Sequence, residues 1–310
     1  MGVEIEQIRY GSWGDAVRMS NGTVELAASL AFGPRIMRYA ACGEANVFME
    51  DHEGRVKKGG PEYESVGGGE WRIYGGHRLW TSPEAVPRAA YPDNEPVAWR
   101  RTERGILLAS PEEKWTHIRK TIEIALADQG SDVTVTHRIE NRGAWPIECS
   151  AWALSVLAPG GTAIIPQTGS DTGLLPNRIV SLWPYSRMND PRVTWGDRYI
   201  TIRQGQGASP FKLGTSNEQG WAAYLLNGQL FVKRFSFAAN GRYPDFGCSF
   251  ECYVSDHMVE LESLSELTML APGSAIEHVE QWSLIRHVDL EDRDETAISH
   301  RLGGLLAANI

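Results

Sequence analysis

The sequence predicts an antiparallel all-β protein, a large sandwich or barrel, in which residues 1–310 form one domain. Strand-like alternation of apolar and polar residues dominates, 32 glycines and 16 prolines supply frequent turns, and long amphipathic helix patterns are nearly absent. An apolar content of 42% over 310 residues suffices for a large core, and all-β folds often exceed 200 residues as one unit. We find no composition break and no internal repeat.

Strands with one buried face show a period of two. That period is present in three segments, Thr23–Leu30, Ile118–Leu126 and Asp132–Ile139. Two further apolar segments, Trp221–Leu226 and Leu230–Phe237, flank the dipeptide Asn227-Gly228. Asn-Gly between two such runs is the strongest short-range signal for a β-hairpin.

The most irregular region is Glu50–Gly76, which contains Gly59-Gly60 and Gly67-Gly68-Gly69. A glycine-rich loop can bind phosphate, but the chain has no GxxxxGK[ST] motif in a strand–loop–helix context. We therefore interpret this region as a loop that covers a cleft.

The C-terminal segment Asp292–Leu306 departs from the strand pattern. Apolar residues recur there at helical spacing, at Ile298, Leu302, Leu305 and Leu306. Asp292 and Glu295 have the spacing of a capping box. We predict a short C-terminal helix that packs on the sheet or reaches a neighbouring subunit.

Charge and hydropathy exclude several partners. The formal net charge is −9 and basic residues are scattered, so nucleic acid and anionic membranes are not expected to bind. No run approaches the roughly 18–20 apolar residues of a membrane span. The first fifteen residues lack a basic-then-apolar signal pattern, which predicts a cytoplasmic location. We expect a monomer or a homodimer.

The cysteine and histidine patterns predict no cofactor. The four cysteines, at positions 42, 149, 248 and 252, show no zinc spacing, and the eight histidines form no HxH or HExxH motif. Buried free thiols are the expected state of the cysteines. Hard oxygen ligands would still permit Ca²⁺ at a group of carboxylates.

The strongest candidate site lies in Ser249–Leu264. In two strands around a tight turn, Glu251 falls opposite Glu262, and Tyr253 falls opposite Glu260, all on one sheet face. Directly opposed like charges are destabilising unless they have a use. Three carboxylates and a phenol on one face therefore indicate a functional site.

The chain has eleven tryptophans and ten tyrosines. They favour a sugar or oligosaccharide as the ligand, because flat aromatic faces suit the C–H faces of sugar rings. Many lie beside Gly, Pro or Asn, where loops line clefts. These are Trp71, Trp80, Tyr91, Trp183, Tyr185 and Tyr243.

Other polar motifs are candidates for the same cleft. His77 beside Arg78 offers a proton-transfer group next to a fixed cation, although a structural His and an Arg paired with Glu84 would also fit. The remaining candidates are two Pro-Asp turns that carry Asp93 and Tyr243 with Asp245, the pair Asn177-Arg178, and the strand cations Lys212 and Lys233. Turns of this kind are often only turns. The lysines either lie at a sheet edge with exposed ammonium groups or face the carboxylates.

The segment Val259–Ser263, followed by Ala271-Pro272-Gly273 and then Glu280–Leu284, resembles the C-terminal part of the galactose mutarotase-like superfamily. There a Leu-Glu-Thr strand precedes an x-Pro-Gly turn and a final strand. The whole chain more closely resembles an uncharacterised branch, a domain family of unknown function (DUF4380-like). The matching segments are GGHRLW at 75–80, YPDN at 91–94, WAL at 152–154, LLPNR at 174–178, WPY at 183–185, DPR at 190–192 and YPDFG at 243–247.

This resemblance implies a β-supersandwich with a sugar-sized cleft on a concave sheet face. In aldose mutarotases a Glu removes the anomeric hydroxyl proton and a His protonates the ring oxygen. Glu262 corresponds to that Glu by motif position, but Trp152 occupies the place of the His and cannot transfer a proton. His77 is the candidate substitute acid.

Three functions follow as hypotheses. The first is a mutarotase-type enzyme in which Arg78, Asn177 and Arg178 position hydroxyls while Trp152 and Trp183 stack on the sugar. The second is a glycosidase that uses paired carboxylates, or a lyase with a Tyr243 base beside Arg78. The third is a non-catalytic sugar sensor.

Overall fold

Strands form the two main layers of the structure, a computed structural model that describes residues 2–205, 207, 209–290 and 295–307. The first twelve strands are β1 (Glu4–Arg9), β2 (Asp15–Ser20), β3 (Val24–Ser29), β4 (Arg35–Ala41), β5 (Lys57–Gly59), β6 (Glu70–Arg72), β7 (Gly76–Ser82), β8 (Ala98–Arg101), β9 (Gly105–Ala109), β10 (Ile118–Leu126), β11 (Val133–Asn141) and β12 (Ile147–Leu157). The remaining strands are β13 (Thr162–Pro166), β14 (Val180–Leu182), β15 (Val193–Trp195), β16 (Tyr199–Arg203), β17 (Phe211–Thr215), β18 (Trp221–Leu226), β19 (Gln229–Phe235), β20 (Phe250–Val254), β21 (Val259–Leu264), β22 (Thr268–Leu270) and β23 (Ala275–Ile285). The helical segments are a 3₁₀ turn (Gly11–Trp13), α1 (Pro61–Glu64), α2 (Pro244–Gly247) and α3 (Glu295–Ala307).

Two large antiparallel sheets contain nearly all of these strands. The first sheet has eleven strands in the order β1-β2-β3-β4-β7-β12-β21-β20-β17-β14, with β22 paired to β12. The second has ten, in the order β15-β16-β13-β18-β19-β23-β11-β10-β9-β8, and β5 and β6 form a separate hairpin. The predicted all-β, antiparallel class is therefore confirmed.

The main core lies between the two sheets. Along β10 and β11, buried and partly exposed residues alternate, as a period of two predicts. At the centre, Phe48 and Phe231 pack against Trp282, with ring centroids 5.6 and 5.7 Å from it. Edge-to-face contacts of this kind fill the space between the layers.

The cysteines are free thiols, as the sequence predicted. Cys149, Cys248 and Cys252 are buried, whereas Cys42 is half-buried. Burial raises the pKa of Cys149 to about 11 and that of Cys248 to about 12, so both stay protonated at neutral pH.

The predicted Asn227-Gly228 hairpin joins β18 to β19. Leu226 pairs with Gln229, which leaves a two-residue turn. Asn227 and Gly228 have φ angles of 49° and 74°, the left-handed conformation that a type I′ turn requires at both positions.

Replacing Gly228 with Ala is expected to lower the free energy of unfolding by about 1–2 kcal/mol, because an L-residue resists the left-handed conformation. Steric clash should not contribute, since the nearest atom to a new Cβ is Val288 O at 3.9 Å. Urea denaturation measures the change. Gly205→Ala is the control, because Gly205 has open space around it and no positive φ. Equal effects of the two substitutions would contradict this account.

The predicted C-terminal helix is α3. Ile298 and Leu302 are buried against Leu230 and Val232 of β19, on the second sheet's outer surface. Asp292 lies outside the described residues, as do the side chains of Leu305 and Leu306. Glu295 accepts hydrogen bonds from the backbone N–H groups of Arg198 and Tyr199, which fixes the start of the helix to β16.

None of the helices in the described part of the chain is long and apolar enough to cross a bilayer. The cytoplasmic location, the oligomeric state, the single domain and the lack of nucleic-acid binding stay predictions.

The segment between β4 and β7 covers the outer face of the first sheet, meaning the face turned away from the second sheet. Its buried residues Tyr63, Trp71 and Ile73 join Trp80 and Trp152 in one hydrophobic cluster. This agrees with the interpretation of Glu50–Gly76 as a covering loop.

Candidate functional site

The β20–β21 hairpin places the acidic side chains as the sequence predicted. Glu251 pairs with Glu262 and Tyr253 pairs with Glu260, while Ser255 N donates to Met258 O at the turn. The alternate residues of both strands belong to the core between the sheets. Because successive side chains point to opposite faces, the four polar groups lie on the outer face.

Lys212 on β17 joins the two opposed glutamates. Its Nζ lies 3.0 Å from Glu262 Oε2 and 2.6 Å from Glu251 Oε2. Glu262 Oε2 also accepts a hydrogen bond of 2.9 Å from Trp152 Nε1. The contact with Glu251 is the shorter of the two ion pairs. One cation therefore serves two carboxyl groups.

A second ion pair lies beside the first. Arg78 Nη2 donates to Glu260 Oε1 at 2.9 Å, and both side chains are nearly buried. The Arg78 guanidinium carbon lies 4.5 Å from the Trp80 ring centroid and 5.5 Å from that of Trp71. Cation–π contacts and the ion pair together fix its position.

Aromatic rings surround these charges. Lys212 Nζ lies 4.6 Å from the ring centroids of both Trp152 and Trp183. Tyr253 and Tyr185 meet edge to face at 6.5 Å, and Tyr185 is 45% exposed. The aromatic rings thus enclose the charged groups, and the exposed Tyr185 lies on the side of the site that faces solvent.

Six buried polar atoms at this site have no hydrogen-bond partner within the described structure. They are the donors Trp71 Nε1, Arg78 Nε and Arg78 Nη1, and the acceptors Glu251 Oε1, Glu251 Oε2 and Glu262 Oε1. Buried polar groups in folded proteins are nearly always paired. Unpaired donors and acceptors on one face fit a ligand whose groups both donate and accept, such as a hydroxyl-rich molecule.

Burial sets the protonation of the glutamates. It raises the pKa of Glu262 to about 6, with Lys212 opposing the rise. Burial also raises the pKa of Glu251 well above its usual range, again against Lys212, and the Glu262 charge adds to the rise. Burial lowers the pKa of Lys212, but the two glutamates raise it more, so the ammonium stays charged.

The structure brings together nine of the residues predicted for the site. They are Arg78, Trp80, Trp152, Trp183, Lys212, Glu251, Tyr253, Glu260 and Glu262. The sequence marks Trp71 and Tyr185 only as aromatic residues beside turns that line a cleft, and the structure places both at this site.

His77 and Lys233 do not face this site, which corrects two predictions. His77 and Arg78 are neighbours on β7 and therefore point to opposite faces. His77 lies between the sheets, where its Nδ1 is 2.9 Å from Ser155 Oγ. Lys233 also lies there and pairs with Glu280 at 2.8 Å. His77 is thus not a proton donor for a ligand on the outer face, and Lys233 does not offset its glutamates.

Four further predicted site residues contact other parts of the protein. Asp93 forms a bidentate ion pair with Arg35 at 2.9 and 3.0 Å. Asn177 and Arg178 donate to backbone carbonyls in their own region. The Tyr243 hydroxyl accepts from Ala238 N. The ligand contacts expected of these four residues stay predictions.

Asp245 lies near the site without contacting a glutamate directly. Its carboxylate is one of the charges that raise the pKa of Glu251. Its backbone carbonyl accepts hydrogen bonds from Ser181 Oγ and Cys248 Sγ. The structure thus shows an electrostatic effect of Asp245 on Glu251, and its contact with a ligand stays a prediction.

A buried polar network between the sheets was not predicted. His77 Nε2 lies 2.6 Å from His137 Nε2, and His137 Nδ1 lies 2.8 Å from His278 O. Since that carbonyl can only accept, His137 carries its proton on Nδ1 and accepts from His77 through Nε2. Glu280 accepts from Trp282 Nε1 at 2.8 Å. The signal existed, because His137 shares the inward face of β11 with Val135 and Ile139.

This network supplies its own cation. The ligand atoms of His77, His137 and Glu280 lie within 4.8 Å of one another, as in a metal site. However, Lys233 Nζ already neutralises Glu280, and the two histidines hydrogen-bond each other directly. The arrangement is that of a hydrogen-bonded structural network.

Acidification is expected to destabilise the protein through these histidines. Burial lowers the pKa of His137 and of His278 to about 3. Below about pH 6.5 the unfolded chain therefore binds protons that the folded chain does not bind. For each histidine, the free energy of unfolding falls by about 1.4 kcal/mol per pH unit down toward pH 3. The raised pKa of Glu262 has the opposite effect, because it increases the free energy of unfolding as the pH falls from about 6 to about 4.5.

Urea denaturation at several pH values between 7 and 5 tests this expectation. His278→Gln should reduce the slope of the free energy of unfolding against pH by about 1.4 kcal/mol per pH unit. The control His300→Gln alters an exposed histidine on α3 and should leave the slope unchanged. Equal slopes for the wild type and His278→Gln would contradict the assignment.

The two antiparallel sheets and their strand order give the chain the fold of the galactose mutarotase-like β-sandwiches. A candidate aldose 1-epimerase from Escherichia coli K12 superposes with a TM-score of 0.56 at 12% identity, covering 92% of this chain and 100% of that one. A candidate aldose 1-epimerase from Klebsiella pneumoniae superposes with a TM-score of 0.59 at 11% identity, covering 98% of this chain and 87% of that one. A galactose mutarotase-like protein from Lactobacillus casei superposes with a TM-score of 0.52 at 8% identity, covering 91% of this chain and 100% of that one.

The predicted superfamily resemblance is confirmed at the level of the fold. No protein-family model and no curated protein sequence matches the chain. The assignment to the DUF4380-like branch stays a prediction. At these identities the likeness carries over architecture, whereas activity has to be argued from the site.

Proposed function

We propose that this protein binds a sugar on the outer face of the first sheet and acts on it by acid–base chemistry of the aldose 1-epimerase (mutarotase) type. The observation that carries the proposal is the group of six buried polar atoms that lack a hydrogen-bond partner and are enclosed by aromatic rings. Sugar hydroxyls both donate and accept hydrogen bonds, so one ligand would satisfy donors on Arg78 and acceptors on Glu262.

Glu262 is the general base in this proposal. Lys212 and Trp152 hold its Oε2, which leaves the buried Oε1 without a partner. Burial raises its pKa to about 6, and a base works best with its pKa near the operating pH. Glu262 is therefore positioned and tuned to accept a proton from an anomeric hydroxyl.

The charge balance favours an uncharged sugar. Arg78 is paired with Glu260, and Lys212 is paired with Glu262. Neither cation is spare for a phosphate or a carboxylate group. A negatively charged ligand would also approach the carboxylates of Glu260 and Glu262, which like-charge repulsion disfavours.

A coupled mutarotation assay over a panel of aldoses tests the proposal, with thermal unfolding in the presence of each sugar. We expect accelerated anomer exchange for at least one aldose and a higher Tm with that same aldose. A panel in which no sugar is turned over and none raises the Tm would contradict the proposal.

A non-catalytic sugar sensor is the second candidate. Two observations favour it: Glu251 and Glu262 are fully buried, and Trp152 occupies the place where the resemblance implies a His. This function predicts a ligand-dependent rise in Tm without turnover.

A glycosidase is the third candidate. It is favoured by two carboxyl groups that approach one ammonium group, since glycoside hydrolysis uses such pairs. Product analysis with oligosaccharides separates bond cleavage from anomer exchange.

A further inference from the structure

We propose that Glu251 is the general acid of this site and holds the proton that its neighbour Glu262 lacks. The inference rests on the proposed function, because it assigns a second catalytic residue to the same sugar site. An acid is required there, since His77 faces the space between the sheets. Glu251 lies directly opposite Glu262 in the hairpin, and both side chains are fully buried.

Hydrogen bonding distinguishes the two carboxyl groups. Glu262 Oε2 accepts from Trp152 Nε1 at 2.9 Å and from Lys212 Nζ at 3.0 Å. Glu251 has no second donor of this kind: Lys212 Nζ lies 2.6 Å from its Oε2 as an ion pair, and its Oε1 has no hydrogen-bond partner. Donors directed at a carboxyl group stabilise its charged form. The negative charge therefore belongs on Glu262 and the proton on Glu251.

The charges around Glu251 lead to the same assignment. The titratable groups that act on it are Lys212 from β17, Glu262 from β21, and Asp245 and Cys248 from the α2 region. Only Lys212 among these is a cation, and Glu262 shares it. Two carboxylates that share one site and one cation do not both ionise at neutral pH.

The reaction step balances with these two groups alone. Glu262 Oε1 takes the proton of the anomeric hydroxyl, the C1–O5 bond breaks as the C1=O1 double bond forms, and O5 takes the proton of Glu251. The open-chain aldehyde rotates about its C1–C2 bond. Both proton transfers then reverse, which closes the ring as the other anomer and restores the original state of both glutamates.

Neutron diffraction from the ligand-free protein at neutral pD locates the proton without any sugar. We expect a deuteron on a carboxyl oxygen of Glu251 and none on Glu262. A deuteron on Glu262, or on neither group, would overturn the inference.

The kinetic test is Glu251→Gln. We expect kcat to fall about 10²–10⁴-fold with little change in KM, as for loss of a general acid. In the pH dependence of kcat, the alkaline limb should disappear and the acid limb near pH 6 should remain. The control is Glu277→Gln on β23, where an exposed glutamate pairs with Arg138.

The two possible failures are distinguishable. A wild-type protein that neither binds nor turns over any aldose refutes the proposed function, and the acid role fails with it. A wild-type protein that is active, combined with a Glu251→Gln variant that keeps its kcat and both pH limbs, overturns the acid role and leaves the proposed function standing. If Glu251→Gln does not fold, the neutron result decides.

Discussion

Replacing Glu262 with Gln is expected to lower kcat for anomer exchange by about 10²–10⁴-fold, the range for loss of a general base. The amide keeps the size of the side chain but cannot accept the proton. The wild type should gain activity as the pH rises through about 6, because burial raises the pKa of Glu262 to that value and only the charged form is a base. A mutarotation assay from pH 5 to 8 measures both effects.

The residual activity of Glu262→Gln should lack this acid limb, since the group that produces it is gone. Glu277→Gln, on an exposed strand position, should keep both the rate and the limb. Unchanged acceleration in the Glu262→Gln variant would remove this residue from the mechanism.

Replacing Lys233 with Met is expected to lower the free energy of unfolding by about 3–5 kcal/mol, the cost of leaving a buried charge without its partner. Lys233 on β19 pairs with Glu280 on β23 at 2.8 Å. Its Nζ also reaches the first sheet, at 2.9 Å from both Ala153 O and Leu261 O. One ammonium group therefore neutralises a buried carboxylate and links the two layers.

Urea denaturation of single and double variants isolates this pair. Lys233→Met combined with Glu280→Gln should recover much of the loss, because neither residue then leaves an uncompensated charge. Lys114→Met is the surface control, since Lys114 is 80% exposed and its pair with Glu95 should contribute less than about 1 kcal/mol. A loss below about 1 kcal/mol in Lys233→Met would show that the buried pair contributes little.

The register of the acidic hairpin was predictable because the information is local. Alternation over Ser249–Leu264 placed Glu251 opposite Glu262, and the tight turn fixed the pairing. The Asn227-Gly228 turn was predictable for the same reason, since the two residues themselves favour the required backbone conformation.

The error at His77 came from treating sequence neighbours as spatial neighbours. Adjacent residues on a strand face opposite sides, so only one of His77 and Arg78 could reach the outer face. Asp93 and Asn177 lie in turn motifs; in the structure Asp93 pairs with the distant Arg35, and Asn177 donates to the nearby Ser170 carbonyl. A turn motif can present a side chain to a ligand or to the rest of the protein, and its sequence does not distinguish the two roles.

The sequence by itself determined the strand-rich antiparallel class, the two hairpins and the common face of Glu251, Glu260 and Glu262, because periodicity and turn chemistry act over a few residues. Only the tertiary structure decided that Lys212 serves two glutamates, that Arg78 serves a third, and that the histidines form a network behind the site. Those contacts join strands that are distant in sequence. Partner choice between such strands depends on sheet order and layer packing, which no local pattern encodes.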